Sequence, residues 1–325
     1  MRGAATPSPA AEACQAHHGL LDGFNKHRRY NTDVGSHLAM DPESRDLARA
    51  IGNCATSIGV EIQLPEGEAP EAKLRAARLC NRRLCPFCEA RRVKGWRRRF
   101  FTGLPAFHED FPTHKPVFLT LTQRNVPLGD LRQTLNEMND GWSRLRKCSF
   151  FPTPFWFRRT EITVRQPAVG SGEPVTYHPH FHVLLLVPAG YFSHGYVKQS
   201  QWAQQWQMAG RYDYTPVVDV RRIRSKTGIS ADRQSAERAA TLEVAKYSTK
   251  ATDLLSLGSD LGEYNRQIRG LRFASVSSSL RPYISAGEIS EQEMLGGGDS
   301  LPVESLHGTA LWFEDVQQYL WQDLI

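Results

Sequence analysis

Strand-like and helix-like patterns of apolar residues follow one another from residue 113 to about residue 256. Val117–Thr122 reads as a strand, and the apolar positions after it recur at the spacing of one helix face. Two more predicted strands, Phe155–Val164 and Thr176–Val187, flank a turn-rich segment at Gln166–Pro174. The helix positions are Leu131, Leu135, Met138, Trp142 and Leu145.

The pattern continues with an aromatic helix and a further strand. Gln201–Met208 forms the helix, Pro216–Ile223 the strand, and a longer helix is predicted from about Asp232 to Leu257, ending at Gly258. Neighbouring strands joined by short turns pair in antiparallel fashion. We therefore predict an α+β fold with a central antiparallel sheet and flanking helices, rather than a doubly wound sheet.

Changes in composition divide the chain into four parts. Residues 1–45 are rich in Ala, Pro, Ser, His and Gly without apolar periodicity, so we expect them to be loosely ordered. Residues 46–112 are rich in cysteine and arginine, and residues 113–275 contain most of the predicted strands and helices. Residues 276–325 form an acidic C-terminal segment.

The 325 residues are 40% apolar and 23% charged, as is ordinary for a globular protein. The longest strongly apolar run, Val183–Val187, is far shorter than the ~18 residues of a membrane-spanning helix. The N-terminal residues lack the apolar stretch of a secretory signal. We expect a cytoplasmic protein with no membrane partner.

The net charge of +6 is distributed unevenly along the chain. Lys73–Arg99 holds eleven lysines and arginines against one acid, Glu89, whereas the residues from Gly258 onward hold ten acids and four arginines. Dense positive charge is typical of a surface that binds phosphate, although a solvated helix face is the alternative. The residues predicted to contact DNA are Arg91, Arg92, Lys94, Arg97, Arg98 and Arg99.

Four of the six cysteines are spaced for a metal site. Cys85 and Cys88 form a CxxC turn whose two thiolates can bind one tetrahedral Zn²⁺, and Cys80 and Cys54 are near enough to complete the set. Disulfides are not expected in a reducing cytoplasm. We favour structural zinc, with reduced thiols without metal and a redox pair as the alternatives.

Two histidines lie just before the wholly apolar end of a predicted strand. His180 and His182 point to the same face because side chains alternate along a strand, so both can bind one divalent metal. Glu161 on the preceding strand is the favoured third ligand, since Mg²⁺ and Mn²⁺ prefer oxygen. A one-residue shift in register decides which face it occupies, and His178 is the rival ligand.

A third group lies on the last long predicted helix. Glu243, Tyr247 and Lys250 would share one helix face at spacings of four and three residues. In one interpretation they are ordinary surface neighbours. In the other, the tyrosine is a phosphate nucleophile, whose hydroxyl pKa near 10 requires a nearby lysine or metal to favour the phenolate.

In their order and spacing, these segments resemble the replication initiators of rolling-circle plasmids in the HUH endonuclease superfamily, in the class with one catalytic tyrosine. The resemblance covers about residues 54–280 and does not extend to residues 1–45 or the acidic C-terminal segment. The matching segments are Cys80–Cys88, Phe118–Thr122, His178–Leu185, Lys246–Lys250 and Arg269–Arg272.

The resemblance implies metal-dependent nicking and joining of single-stranded DNA at a plasmid origin, through a 5′-phosphotyrosine that leaves a 3′-OH primer. It implies that Tyr247 is the nucleophile, that Glu243 acts at termination and that Lys250 is the motif lysine. A host helicase and a DNA polymerase are the implied partners. The implied ligands of Mg²⁺ or Mn²⁺ are His180, His182 and Glu161.

Two other functions compete with this interpretation. One is a different HUH enzyme, such as a transposase; a relaxase fits less well, because its tyrosine typically precedes the histidines. The other is a non-catalytic, zinc-stabilised DNA-binding regulator that uses only the arginine-rich helix.

Overall fold

The computed structural model describes residues 18–64, 69–168, 170–222, 249–285, 287–296 and 305–324. These residues form two compact units. Unit 1 contains the residues up to Gly95 and those from Ile289 onward, and unit 2 is Trp96–Glu288.

The helices and strands are numbered in chain order. The α-helices are α1 (Asp22–Ala39), α2 (Arg45–Gly52), α3 (Pro86–Asp110), α4 (Leu131–Leu145), α5 (Gln199–Gly210), α6 (Ala251–Leu255), α7 (Leu261–Ile268) and α8 (Glu291–Leu295). The strands are β1 (Ser57–Gln63), β2 (Glu71–Ala77), β3 (Lys115–Thr122), β4 (Trp156–Arg165), β5 (Thr176–Val187), β6 (Val218–Arg222), β7 (Ala274–Val276), β8 (Ser305–Phe313) and β9 (Gln318–Leu324). Short 3₁₀ helices lie at His18–Leu21, Pro42–Ser44, Leu128–Asp130, Ala189–Phe192 and Gly258–Asp260.

Unit 1 is built on a four-stranded antiparallel sheet with the order β2-β1-β8-β9. The two strands nearest the C-terminus thus complete a sheet that begins near residue 57. β8 and β9 approach closely at Gly308, where an added Cβ would lie 2.3 Å from the carbonyl oxygen of Asp323. The acidic C-terminal segment therefore supplies half of this sheet.

Helix α1 shows that Asp22–Ala39 are helical, contrary to the loose order expected for residues 1–45, of which residues 1–17 lie outside the described part of the chain. Its buried positions include Asn25, Arg28 and Asn31, which no hydrophobic periodicity reveals. Each has a distant partner: Arg28 donates to the carbonyl of Gly52 (2.6 Å), and Asn25 accepts from the backbone N–H of Tyr319 (2.7 Å). Hydrogen bonds offset the cost of burying these polar groups, so the helix packs firmly in unit 1.

Unit 2 contains a five-stranded antiparallel sheet with the order β6-β3-β5-β4-β7. On one face, apolar side chains of β5 such as Phe181 pack with Trp142 of α4 and Trp206 of α5. On the other face, the ring of Phe157 lies 4.9 Å from the rings of Trp96 and Phe100, both from the part of α3 that belongs to unit 2. The predicted α+β fold with antiparallel pairing and flanking helices is confirmed.

Two predicted boundaries differ from the structure. The division between units falls inside α3, at residues 95 and 96, rather than near residue 112, because one helix runs through both segments. The predicted helix from 232 to 257 is interrupted at Lys250, whose backbone is extended (φ −70°, ψ 146°) and which precedes α6. Its residues 232–248 lie outside the described part of the chain. Among the described helices, none is both long and apolar enough to cross a membrane.

Candidate functional site

Strand β5 presents His180 and His182 on the face of the unit 2 sheet opposite the core residue Phe181, because side chains alternate along a strand. The open question from the sequence was the register between β4 and β5. In the structure Glu161 pairs directly with His180, which places its carboxylate on the histidine face. We call Glu161, His180 and His182 the His–Glu cluster.

The three side chains of the His–Glu cluster converge. The Oε2 atom of Glu161 lies 2.7 Å from Nε2 of His182 and 3.4 Å from Nε2 of His180. The two imidazole rings are 4.7 Å apart and nearly perpendicular, at 87°. One ligand atom from each residue lies within 4.8 Å of the others, so the three can hold one metal ion.

Neighbouring groups orient both imidazoles. The carbonyl oxygen of His178 lies 3.2 Å from Nδ1 of His180. A carbonyl only accepts, so Nδ1 donates to it and Nε2 is directed toward the cluster. The hydroxyl of Thr120 lies 3.3 Å from Nδ1 of His182, and Phe118 stacks on that ring at 5.2 Å. Such contacts fix ligand orientation in metal sites.

The electrostatics of the cluster suit a divalent cation. Burial by itself would raise the pKa of Glu161, but the hydrogen bonds and charges of His180 and His182 outweigh it and hold the pKa well below its usual range. The carboxylate is therefore ionised at neutral pH. One carboxylate and two imidazoles leave coordination positions open for a substrate, as catalytic metal sites do.

His178, the rival third ligand, borders the cluster without joining it. It pairs with Thr163 on β4, and its ring lies 5.4 Å from that of His180. Burial lowers its pKa, and the charges of His180 and Arg165 act in the same direction. The geometry thus favours Glu161.

Unit 1 brings Cys54, Cys80, Cys85 and Cys88 together, and we call these residues the Cys cluster. Their sulfur atoms all lie within 4.8 Å of one another. Sγ of Cys88 is 3.5 Å from that of Cys54 and 3.8 Å from that of Cys80. Tetrahedral Zn²⁺ with Zn–S bonds of about 2.3 Å separates its sulfurs by about 3.8 Å, so the observed spacing fits that ion.

The surroundings of the Cys cluster are closed. Cys54, Cys85 and Cys88 are at most 1% exposed. Burial raises the pKa of the Cys85 thiol, whereas the hydrogen bond from Cys54 lowers the pKa of Cys80. The amide oxygen of Asn31 accepts from the backbone N–H of Phe87 (3.0 Å) and lies 3.3 Å from Sγ of Cys85. These contacts tie α1 to the CxxC turn.

Comparison with known proteins assigns the family. The sequence model of a family described as Replication protein matches residues 71–316. A Protein rep from Bacillus amyloliquefaciens is 30% identical over 92% of this chain and 93% of its own length. The chain belongs to the replication-protein family.

Other replication proteins share parts of the chain. A Protein rep from Bacillus sp is 36% identical over 58% of this chain and 62% of its own length, and one from Streptococcus pneumoniae is 28% identical over 80% and 81%. No solved structure matches. The resemblance to replication initiators is confirmed at the level of this family.

Two of the three predicted catalytic residues of this replication protein, Tyr247 and Glu243, lie outside the described residues. Lys250 is described and exposed. Its backbone is extended (φ −70°, ψ 146°) where it precedes α6, and its place on one helix face with Tyr247 stays a prediction. Thr249, its neighbour, is buried, and its hydroxyl lies 2.7 Å from that of Tyr264.

Several arginines of the predicted DNA-binding helix bond to backbone carbonyls. Arg91 is buried and donates to a backbone carbonyl of α8. Arg92 donates to the carbonyl of Asn81 (2.5 Å), and Arg99 donates to three carbonyls between residues 285 and 288. Folding therefore uses these guanidinium groups. DNA contact by the six predicted residues, which include Lys94, Arg97 and Arg98, stays a prediction.

Two supporting residues were missed from the sequence. Thr120 faces His182 because it pairs with that residue across β3 and β5, and alternation within the predicted strand at 117–122 could have identified it. Asn31 could not have been found, because its role depends on contact with residues more than fifty positions away.

Proposed function

We propose that this replication protein initiates rolling-circle replication of a plasmid by nicking and rejoining one DNA strand at the origin, with Tyr247 as the nucleophile. The observation that supports the proposal is the His–Glu cluster, whose ligand atoms from β4 and β5 can bind one divalent cation. Membership of the replication-protein family is the second support for the proposal.

The proposed cleavage is an in-line displacement. The phenolic oxygen of Tyr247 loses its proton and bonds to the phosphorus of the scissile phosphodiester, while the bond from phosphorus to the 3′ oxygen breaks. The 3′ oxygen takes up a proton and becomes a 3′-OH primer, and the 5′ phosphate stays on the tyrosine. Lys250 stabilises negative charge on the phenolate or phosphate.

The His–Glu cluster positions the scissile phosphate in this scheme. Bound Mg²⁺ or Mn²⁺ would supply Lewis-acid withdrawal of charge from that phosphate. His180, His182 and Glu161 would hold the ion, while Thr120 keeps the imidazole of His182 in place. At termination, Glu243 accepts a proton from water or positions the second cleavage.

The Cys cluster has a structural role in the proposal. Four sulfurs at tetrahedral spacing, from three buried cysteines and one half-buried cysteine, would bind Zn²⁺ and hold the start of α3 against the loops around residues 54 and 80. The partners are origin DNA, single-stranded at the nick, together with a host helicase and a DNA polymerase that extends the 3′-OH.

The test uses a labelled pool of single-stranded oligonucleotides incubated with the full chain and Mn²⁺, then separated on a denaturing gel. We expect a retarded covalent adduct that requires the metal and disappears in Tyr247→Phe. Tyr196→Phe, at an exposed tyrosine of unit 2, is the matched control and should form the adduct normally.

A full yield of adduct from Tyr247→Phe would assign the nucleophile elsewhere. No adduct from the unaltered chain, with DNA binding and zinc content intact, would favour the non-catalytic regulator. Cleavage of transposon ends in preference to plasmid origins would favour a transposase.

A further inference from the structure

A cavity of about 400 Å³ lies in unit 2 on the sheet face opposite the His–Glu cluster. Its walls come from the C-terminal part of α4, from β4, and from β7 and the residues on either side of it. Arg158 of β4 pairs with Val183, a core residue, whereas Glu161 is three positions along and faces the other way. The cavity is therefore separate from the His–Glu cluster.

Arg158 is buried without a carboxylate partner among the described residues. It is 3% exposed, and its guanidinium lies 4.0 Å from the centroid of the Phe181 ring and 5.7 Å from that of Trp142. Its Nε and Nη1 atoms are buried and have no hydrogen-bond acceptor in the described part of the chain. Burial lowers its pKa to about 9, and the charges of Arg146 and Arg272 act in the same direction. An isolated buried charge is costly, so such groups normally have a partner.

The other charged groups that line the cavity are all cationic. Three further arginines, Arg146, Arg272 and Arg281, are exposed and line the same cavity. The indole Nε1 of Trp142 is also buried and has no acceptor among the described residues. Among the described lining residues there is no aspartate or glutamate. A buried guanidinium with three arginines around it and no carboxylate fits an anion with several oxygen atoms, and arginine binds phosphate with two parallel hydrogen bonds.

We propose that this cavity binds a backbone phosphate of the DNA strand at a position away from the cleaved phosphodiester. This inference rests on the proposed function, because it takes the ligand to be DNA. One phosphate would be held by Arg158 and one neighbour, and the other arginines come from three separate segments around the opening. That spread of charge fits a chain of phosphates better than one small anion.

The position of β7 would allow a DNA strand to pass the edge of the unit 2 sheet. β7 is the outermost strand next to β4, and Arg272 and Arg281 stand before and after it in sequence. DNA that leaves the His–Glu face can therefore reach this cavity around the β7 edge.

Binding of a fluorescent single-stranded oligonucleotide to the full chain tests the proposal, measured in a Tyr247→Phe background without divalent metal so that cleavage does not contribute. We expect the double variant Arg272→Gln/Arg281→Gln to bind about tenfold more weakly at low salt. The slope of log affinity against log salt should decrease by about one to two. The matched control is Arg211→Gln/Arg222→Gln, which removes the same charge outside the cavity; Arg222 is on β6, at the opposite sheet edge.

A second variant separates binding from a purely structural role. Replacing Arg158 by Met removes a buried unpaired charge while keeping an unbranched side chain. We expect the melting temperature without DNA to stay the same or rise, and oligonucleotide affinity to fall about tenfold. A structural arginine would instead lower the melting temperature and leave the affinity of the folded protein unchanged.

The outcomes are distinct. If the cavity variants and the control variant lose the same oligonucleotide affinity, the overall positive charge of the protein, and not the cavity, binds DNA. If the cavity variants lose binding of inorganic phosphate but not of the oligonucleotide, the site takes a small anion and the proposal is wrong. Absence of the covalent adduct together with cavity-dependent DNA binding would refute only the proposed nicking.

Discussion

The Cys cluster and the His–Glu cluster differ in the number of their ligands and in how far they are closed. The Cys cluster has four sulfur ligands from three separate segments of unit 1, and three of the four are almost completely buried. The His–Glu cluster has three nitrogen and oxygen ligands from two adjacent strands of unit 2. A closed set of four soft ligands favours a structural ion, whereas an open set of three harder ligands leaves room for a reacting phosphate.

The largest expected effect comes from replacing one cysteine of the Cys cluster. In Cys85→Ser we expect loss of about one equivalent of zinc and a decrease of several kcal/mol in the free energy of unfolding, because binding of structural zinc contributes directly to folding. Zinc analysis and thermal unfolding measure the two effects. Cys148→Ser, at an exposed cysteine, should change neither. Absence of zinc from the unaltered chain would show that the cluster holds reduced thiols without metal, whereas full zinc content and an unchanged melting temperature in Cys85→Ser would show that the zinc is bound elsewhere.

Removal of one ligand of the His–Glu cluster should weaken Mn²⁺ binding and leave folding intact. In His182→Ala we expect Mn²⁺ affinity, measured by electron paramagnetic resonance titration, to fall at least about 100-fold, since even supporting residues of metal sites contribute up to that much. Zinc content should stay the same. His194→Ala, at an exposed histidine, is the control. Normal Mn²⁺ affinity in His182→Ala would remove this cluster from the proposed chemistry.

A smaller effect is expected from replacing Thr120, which contacts the His–Glu cluster without belonging to it. Thr120→Val keeps the shape of the side chain but removes the hydroxyl beside Nδ1 of His182. We expect Mn²⁺ affinity to decrease about tenfold, while Thr120→Ser, which retains the hydroxyl, should bind as the unaltered chain does. If valine and serine variants bind Mn²⁺ equally well, Thr120 does not orient the histidine.

The elements of unit 2 were largely predictable from the sequence. β5 spans Thr176–Val187 and α4 spans Leu131–Leu145, both as predicted, because α4 shows the helical period over its whole length and β5 ends in a continuous apolar run. The site was predictable in its residue types and in the shared face of the histidines. The register that brings Glu161 opposite His180 was not, because pairing depends on the whole hairpin rather than on any single residue.

Unit 1 was much less predictable, for a physical reason. The buried face of α1 includes Asn25, Arg28 and Asn31, so its packing is specified by hydrogen bonds to distant segments rather than by apolar residues. In the same way, the charge density of α3 suggested DNA contact although Arg91 and Arg99 bond to backbone carbonyls. The sequence shows where arginines are concentrated, but only the fold shows which acceptors their N–H groups bind.

The strand order of unit 1 also has a consequence for synthesis on the ribosome. β1 and β2 leave the ribosome early, yet β8, the neighbour that β1 requires, begins at Ser305. At about 5–20 residues per second, the first two strands wait roughly 10 to 50 seconds for that partner. Unit 2 is continuous in sequence and can fold in the interval. A nascent or prematurely terminated chain would therefore contain the His–Glu cluster before the sheet of unit 1 is complete.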